Sequence, residues 1–462
     1  MRFLIFSLIL SVFITRAQAE DCDIGTTGVT AVNATNTAPS SSGYVGQVFN
    51  FKFSIANFGT NLGCIIPANS VNAVFDFPTL SGGIKPYVYN GPVSFSSGYF
   101  TWTYNAMAGI LEGTNTTAIP NNSGDLDILV QVIGNQTSVG GVSVGTSSLN
   151  LTQSGATSDN TGNNFGSAQL TISAISLNLK VLLQGALLGN APLNASTMRD
   201  NLRNSPFTGS NYIPSSDPYS NNAAYNGSFT RVGDGTNPAL QTVTTPGTMF
   251  NNRLNAAVDW IFLELRSKNN PATVVATRSA IVQRDGSVVD IDGGSCIRFP
   301  TLKIDSFYVA VRHRNHLGAM TALPVPAATF NCSSTVDFTT MTAAQLWNNT
   351  VAYDGFEMAT LSDGKRALWA GNANSDKKIK YTAPGDDLFQ IFTNTLLHPA
   401  NTGSDYNFDF GYGYIAGDVD MNSKVKYTAP NDDSFQVFVQ LLLYGLNTGA
   451  DYNYDFFLEQ LP

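Results

Sequence analysis

Charge is scarce in this 462-residue chain. Only 12% of its residues are Asp, Glu, Lys or Arg, about half the share found in an ordinary soluble domain. The 24 basic residues are outnumbered by 33 carboxylates, for a net charge of −9. With no electropositive surplus to hold phosphates, nucleic acid is not an expected partner. Histidine is scarcer still: His313, His316 and His398 are the full set. Four cysteines are too few for a disulfide-dense mini-scaffold. No H-E-x-x-H or phosphate-loop motif occurs, and no enzyme activity is expected. What is present is apolar and turn-rich, with 43% hydrophobic residues, 11% aromatics and 41 Gly. That content is too high for a disordered chain. Surface polarity must come from Asn, Thr, Ser and Gly, which suits extracellular β-rich proteins. At this length two to four domains are expected.

The first 19 residues read as a signal peptide. Arg2 gives a basic start, Phe3 to Ile14 an apolar run, and Ala17-Gln18-Ala19 a small-x-small cleavage site. No later stretch approaches about 18 apolar residues. The expectation is an exported protein, secreted or held at the cell surface, with no transmembrane segment after signal removal. Export makes disulfides the favoured state of Cys22, Cys64, Cys296 and Cys332. Of the three possible pairings, Cys22 with Cys64 and Cys296 with Cys332 keeps each bridge within one domain. Buried free thiols are the alternative.

Residues 20–173 form a series of short strand-like runs between turn clusters. Val45 to Ile55 alternates around Phe49, Phe51 and Phe53, and Val71 to Phe77, Tyr99 to Tyr104, Leu126 to Ile133 and Ser167 to Ile172 look alike. Strands at this spacing predict a β-sandwich. A second β-domain is predicted over 174–352, with strands at Leu177 to Leu183, Val258 to Leu265, Thr273 to Gln283, Ser287 to Ile291 and Ser306 to Val311. The polar stretch from Asn194 to Gly247 reads as a long, partly ordered loop. Residues 353–462 differ in kind: they hold fifteen of the 33 carboxylates against seven basic residues, a net of −8.

Self-comparison explains the acidity. GNANSDKKIKYTAPGDDLFQIF (Gly371 to Phe392) recurs 46 residues later as GDVDMNSKVKYTAPNDDSFQVF (Gly417 to Phe438). At the same offset, Asn401 to Phe410 matches Asn447 to Phe456. In each copy oxygen-bearing side chains fall at alternate positions: Asn372, Asn374 and Asp376, then Asp418, Asp420 and Asn422. This is the 1-3-5 opening of an EF-hand-like calcium loop, in which a tight turn points successive odd side chains at one centre. The carbonyl of Lys378 or Lys424 is the next expected ligand, and Ile379 or Val425 the apolar residue that pins the loop. Two departures stand out. Lys377 and Ser423 occupy the sixth position, where an EF-hand has Gly, and the closing carboxylates come late, as Asp386-Asp387 and Asp432-Asp433. Each Asp pair opens a short helix, where it is expected to cap the N-terminus and bind metal together.

The repeat resembles the dockerin-like calcium repeats that end many large secreted proteins of Bacteroidetes-type bacteria. Trp369-Ala370-Gly371-Asn372 and the Lys-Tyr-Thr-Ala-Pro-x-Asp-Asp stretch carry the likeness. Upstream, Val258-Asp259-Trp260, Glu264-Leu265-Arg266, Arg284 to Asp290 and His313-Arg314-Asn315-His316-Leu317 extend it to about residues 174–462. The N-terminal part resembles the Ig-like modules of bacterial surface proteins by pattern alone. The resemblance implies export, calcium-stabilised β structure and a haemagglutinin-like, adhesive surface role.

The fold expected is therefore mainly β: an Ig-like sandwich, a second β-domain and a small pair of dockerin-like, EF-hand-like loop repeats. The cofactor expected is Ca2+ at two sites. The second should bind more tightly, because the first has fewer carboxylates and Lys377, Lys378 and Lys380 beside it. An Asx-turn pair without metal is the competing reading. His313 and His316, three apart on one strand, should face opposite ways and serve packing or hydrogen bonding rather than a shared metal. Asp259 and Glu264, at odd spacing, should not form a glycosidic carboxylate pair. Sequons such as Asn150 and Asn194 follow from composition and mean glycans only in a host with that machinery. Two functions fit: a non-enzymatic structural or adhesive protein whose partner is a glycan or a surface protein, and a carbohydrate-binding or polysaccharide-degradation accessory docking through its C-terminal repeats.

Overall fold

The computed structural model describes residues 22–60, 63–95, 98–121, 124–138, 141–155, 159–188, 197–233, 240–251, 255–326 and 331–462. The signal-peptide segment and Asn194 lie outside these. The chain is mainly β and separates into two compact units. No helix among the described residues is long and apolar enough to cross a membrane.

The first unit, within residues 22–172, is an Ig-like β-sandwich. One sheet runs in the order Ile24–Asn33, Val48–Asn57, Leu126–Gly134, Tyr87–Tyr89. The other contains Phe165–Ser173, Val142–Gln153, Val71–Asp76, Ile110–Asn115 and Phe100–Asn105 in that order. Alternation places Phe49, Phe51 and Phe53 on the inner face, all buried. Phe51 and Phe53 meet Phe75 of the facing sheet at ring separations of 5.4 and 5.8 Å. Cys22 and Cys64 are disulfide-bonded.

The second unit, from Ser173 onward, contains the residues expected as two domains, 174–352 and 353–462, in one compact body. Its main sheet is built on Ala257–Ser267, paired antiparallel with Asn270–Gln283 and with Ser306–His313. Ser306–His313 turns back into His316–Met320. Ala257–Ser267 is buried on both faces over almost its whole length, its charged Asp259, Glu264 and Arg266 included. A smaller sheet pairs Ile175–Lys180 with Ile297–Phe299 and, in parallel, with Asn331–Asp337. Cys296 and Cys332 are disulfide-bonded.

The Asn194 to Gly247 stretch was expected as a long, partly ordered loop, and its described part is packed into the core rather than free-standing. It is irregular in secondary structure, yet Met198, Leu202, Ile213, Tyr219 and Phe229 are buried in the same core as Trp260 and Phe262. Tyr219 also donates to the Trp260 carbonyl at 2.8 Å.

The two repeats fold alike. Each contributes one helix, α1 (Asp387–Leu396) and α2 (Asp433–Leu443). Their inward faces carry Ile391, Val437 and Leu441, all fully buried with Trp369, Ile379, Val425 and Phe457. Phe389 and Phe435 instead point outward, 67% and 57% exposed. Phe392 and Phe438 pack across the pair, against Tyr427 and Tyr381. Behind each helix an asparagine ties the chain down. Asn401 Nδ2 donates to Thr395 O and Asp405 O, and Asn447 Nδ2 to Leu441 O and Asp451 O, at 2.8–2.9 Å.

Candidate metal centre

The second loop, residues 417–433, gathers carboxylates. Asp418, Asp420 and Asp433 each offer an oxygen, and the three oxygens lie within 4.8 Å of one another. Asp418 and Asp433 are buried. The backbone is wrapped around them. Asn422 N–H donates to Asp418 Oδ1 at 3.0 Å and to Asp420 Oδ1 at 3.1 Å, and Ser423 N–H donates to Asp418 Oδ2 at 2.9 Å. Asp433 Oδ1 accepts from Val419 N–H at 2.7 Å, and its Oδ2 from Lys426 N–H at 2.8 Å. Asn422 Oδ1 accepts from Lys424 N–H at 2.9 Å.

The missing glycine does not change the loop's path. Lys377 and Ser423 adopt φ of 73° and 76°, and Ser375 and Met421 φ of 59° and 54°. Both copies therefore hold the left-handed backbone that an EF-hand assigns to Gly, with residues for which it is strained.

The Asp pairs divide their work. Asp386 and Asp432 are helix N-caps, their Oδ1 atoms accepting from Phe389 N–H at 2.8 Å and Phe435 N–H at 2.7 Å. Asp387 and Asp433 turn into the loops, where both are buried. One carboxylate of each pair, not both, joins the loop's polar centre.

The first loop has the same frame with fewer charges. Asp387 accepts from Asn374 N–H at 3.2 Å and Lys380 N–H at 2.8 Å. Asn374 Oδ1 accepts from Asp376 N–H at 3.0 Å, and Asp376 Oδ1 from Lys378 N–H at 2.9 Å. Asn372, the equivalent of Asp418, is buried, and its Oδ1 has no hydrogen-bond donor among the described residues. Lys380 Nζ is drawn to Asp455 at 3.1 Å, and Lys424 and Lys426 Nζ to Asp409 at 2.9 and 3.1 Å. Lys378 Nζ lies 3.8 Å from Asp455.

These surroundings disfavour carboxylate charge. Burial holds Asp387 well above the ordinary carboxylate range. Burial, and then the neighbouring Asp420, do the same to Asp418; Asp433 is raised by burial and by both neighbours. Arg199 partly offsets the crowding at Asp420. Its Nη2 donates to Asp420 O and, at 3.1 Å, to Gly185 O. A hard dication ligated by oxygen is the group such a donor set fits: three converging carboxylates in one loop, an undonated buried amide oxygen in the other.

Beneath the loops lies a polar network that spacing alone did not reveal. His313 and His316 were expected on opposite faces of one strand. Instead the chain reverses at Arg314 and Asn315, so the two histidines are cross-strand partners. Their Nδ1 atoms are 2.9 Å apart. Gly185 N–H donates to His316 Nε2 at 2.9 Å, which places the His316 proton on Nδ1. His313 then accepts at Nδ1 and directs its Nε2 proton to Asp259 Oδ2, 3.1 Å away. Asp259 also accepts from Arg314 Nε at 3.0 Å, Tyr414 O–H at 2.7 Å and Trp260 N–H at 2.7 Å. Glu264 is equally engaged, accepting from Arg266 Nε at 2.8 Å and Arg312 Nη1 at 3.3 Å. His398 sits in the link between repeats, 3.2 Å from the Tyr412 carbonyl.

No family model matches the chain, and no curated protein matches it. Among solved structures it is similar to a variant of the major pilin subunit BcpA of Bacillus cereus, at 7% identity over 69% of each chain, TM-score 0.29. A C-terminal fragment of the major pilin GBS80 of Streptococcus agalactiae gives 8% identity over 67% of this chain and 93% of that one, TM-score 0.27. A cohesin module of a family 33 glycoside hydrolase from Clostridium perfringens gives 14% identity over 33% of this chain and 98% of that one, TM-score 0.20.

Proposed function

We propose that this is a non-enzymatic, exported structural or adhesive protein whose second unit is stabilised by calcium in the two repeat loops. The observation that carries the reading is the convergence of Asp418, Asp420 and Asp433 in a loop built around their charge. At the second loop these three, with Asn422 and the Lys424 carbonyl as further oxygen donors, would hold the ion. At the first, Asn372, Asn374, Asp376 and Asp387 would do so, with the Lys378 carbonyl. Calcium there supplies positive charge to buried oxygens that otherwise repel one another, and so stabilises the fold. Isothermal titration of the chelator-treated chain tests this. Binding in about the 10⁻⁴–10⁻³ M range is expected, lost at the second loop in Asp433→Asn. Absence of binding at millimolar calcium would contradict it.

A second reading rests on Phe389 and Phe435, which stand exposed at equivalent positions of α1 and α2. Paired exposed aromatics suit a docking surface, as expected of a polysaccharide-degradation accessory. A glycan array, and pull-down with a cohesin-type module, compared between the native chain and Phe389→Ser/Phe435→Ser, decide it. Equal retention by both chains would discard this second reading.

A further inference from the structure

The turn between Ser306–His313 and His316–Met320 consists of Arg314 and Asn315, both fully enclosed. It holds the first position of each loop. The Asn315 carbonyl accepts from Gly371 N–H and Asn372 N–H, each at 3.1 Å. The Asn315 Nδ2 donates to Asp418 O at 2.8 Å and to Ala416 O at 3.2 Å. Asn372 and Asp418 are the same position in the two copies, 46 residues apart. Arg314 bridges the copies as well: its carbonyl accepts from Ser375 Oγ at 2.8 Å, and its Nη1 donates to Ile415 O. The turn itself is fixed from below, by Arg314 Nε on Asp259 at 3.0 Å and by Asn315 Oδ1 at 2.8 Å from His316 Nδ1.

From this geometry we infer that Asn315 is a positioning residue shared by both loops, and that occupancy of one loop raises the calcium affinity of the other. The inference rests on the calcium reading above and adds to it a coupling between the sites. Asn372 is where it bites. Its buried Oδ1 has no donor among the described residues, so this oxygen is open to an ion. An ion that takes this oxygen also fixes the Asn372 N–H against the Asn315 carbonyl. The other end of that same residue then holds the Asp418 carbonyl, and with it the path of the second loop. The connection is one side chain long and is buried throughout, which limits the ways it can relax.

A double-mutant cycle on the full chain tests this by calcium titration calorimetry. Asp387→Asn disables the first loop and Asp433→Asn the second. With Asn315 present, disabling either loop is expected to weaken the other by about fivefold or more. In an Asn315→Ala background the same loss should fall below about twofold. If Asn315→Ala does not fold, Ser375→Ala removes only the contact to the Arg314 carbonyl and should lower the coupling in the same direction. Amide hydrogen exchange over residues 418–426 gives a second readout: disabling the first loop should speed it. Unchanged affinity at one loop when the other is disabled would overturn the coupling while leaving calcium binding intact. No calcium binding in the native chain would overturn the parent reading, a result distinct from two independent sites.

Discussion

At the scale of single residues, the Asp-Asp pairs separate two roles that adjacency makes look interchangeable. Asp432 accepts from Phe435 N–H as an N-cap, whereas Asp433 turns into the carboxylate cluster. Asp432→Ala should therefore cost about 1 kcal/mol of stability and leave calcium affinity nearly unchanged. Asp433→Asn should remove calcium from the second loop. Paired melting and titration of the two variants check this, and an equal loss of calcium binding in both would contradict the division. Lys377 offers a second test. Its φ of 73° strains a residue with a Cβ, so Lys377→Gly should raise apo stability by up to about 1 kcal/mol, measured by urea unfolding. A drop in the unfolding midpoint would show that the side chain contributes more than the backbone strain removes. The positions in these loops were legible in the sequence because a repeat of 46 residues marks them twice. The division of the Asp pair was not, since neighbouring positions at a helix start differ only in where the backbone turns them.

At the scale of elements, the buried His313–His316 hairpin makes the fold sensitive to acid. Burial, then His313 and Arg314, hold His316 well below the usual histidine range, and burial lowers His313 against the pull of Asp259. A depressed histidine binds its proton in the unfolded chain before it does in the folded one. The stability these two histidines contribute is thus full above the unfolded value near 6.5 and declines as pH falls below it. The raised Asp387, Asp418 and Asp433 act in the opposite direction in the calcium-free chain. The histidine contribution is read as the difference in urea unfolding midpoint between the native chain and His316→Gln from pH 7.5 to 5. This difference should move against the native chain as pH falls; a difference that does not change with pH would contradict it. Element-scale legibility was uneven. Val48–Asn57 and Leu126–Gly134 showed themselves by alternation. Val142–Gln153 did not, because its inward positions are Ser143, Gly145 and Ser147 while Val142 and Val144 face out. The small residues make room for Tyr87, whose ring a Cβ on Gly145 would meet at 2.8 Å and whose hydroxyl lies 3.1 Å from Ser147 Oγ. The hairpin was missed for a simpler reason. Its two-residue turn, Arg314-Asn315, carries no glycine, so nothing local announced that the strand reverses.

At the scale of the whole molecule, the second unit contains two internal copies that are alike in path and unlike in charge. The second loop brings three carboxylates together, and the first substitutes Asn372 and Asn374 for two of the corresponding acids. The second site should therefore bind calcium more tightly, and the tail's surplus of negative charge is best understood as loop chemistry rather than as solubility. The most direct measurement is a thermal melt of the native chain in chelator and in about 10 mM calcium, beside the same pair of melts for Asp433→Asn. Calcium is predicted to raise the native melting temperature by about 3 °C or more, and to raise that of Asp433→Asn by clearly less. Equal melts with and without calcium in the native chain would contradict the claim that these loops are calcium sites.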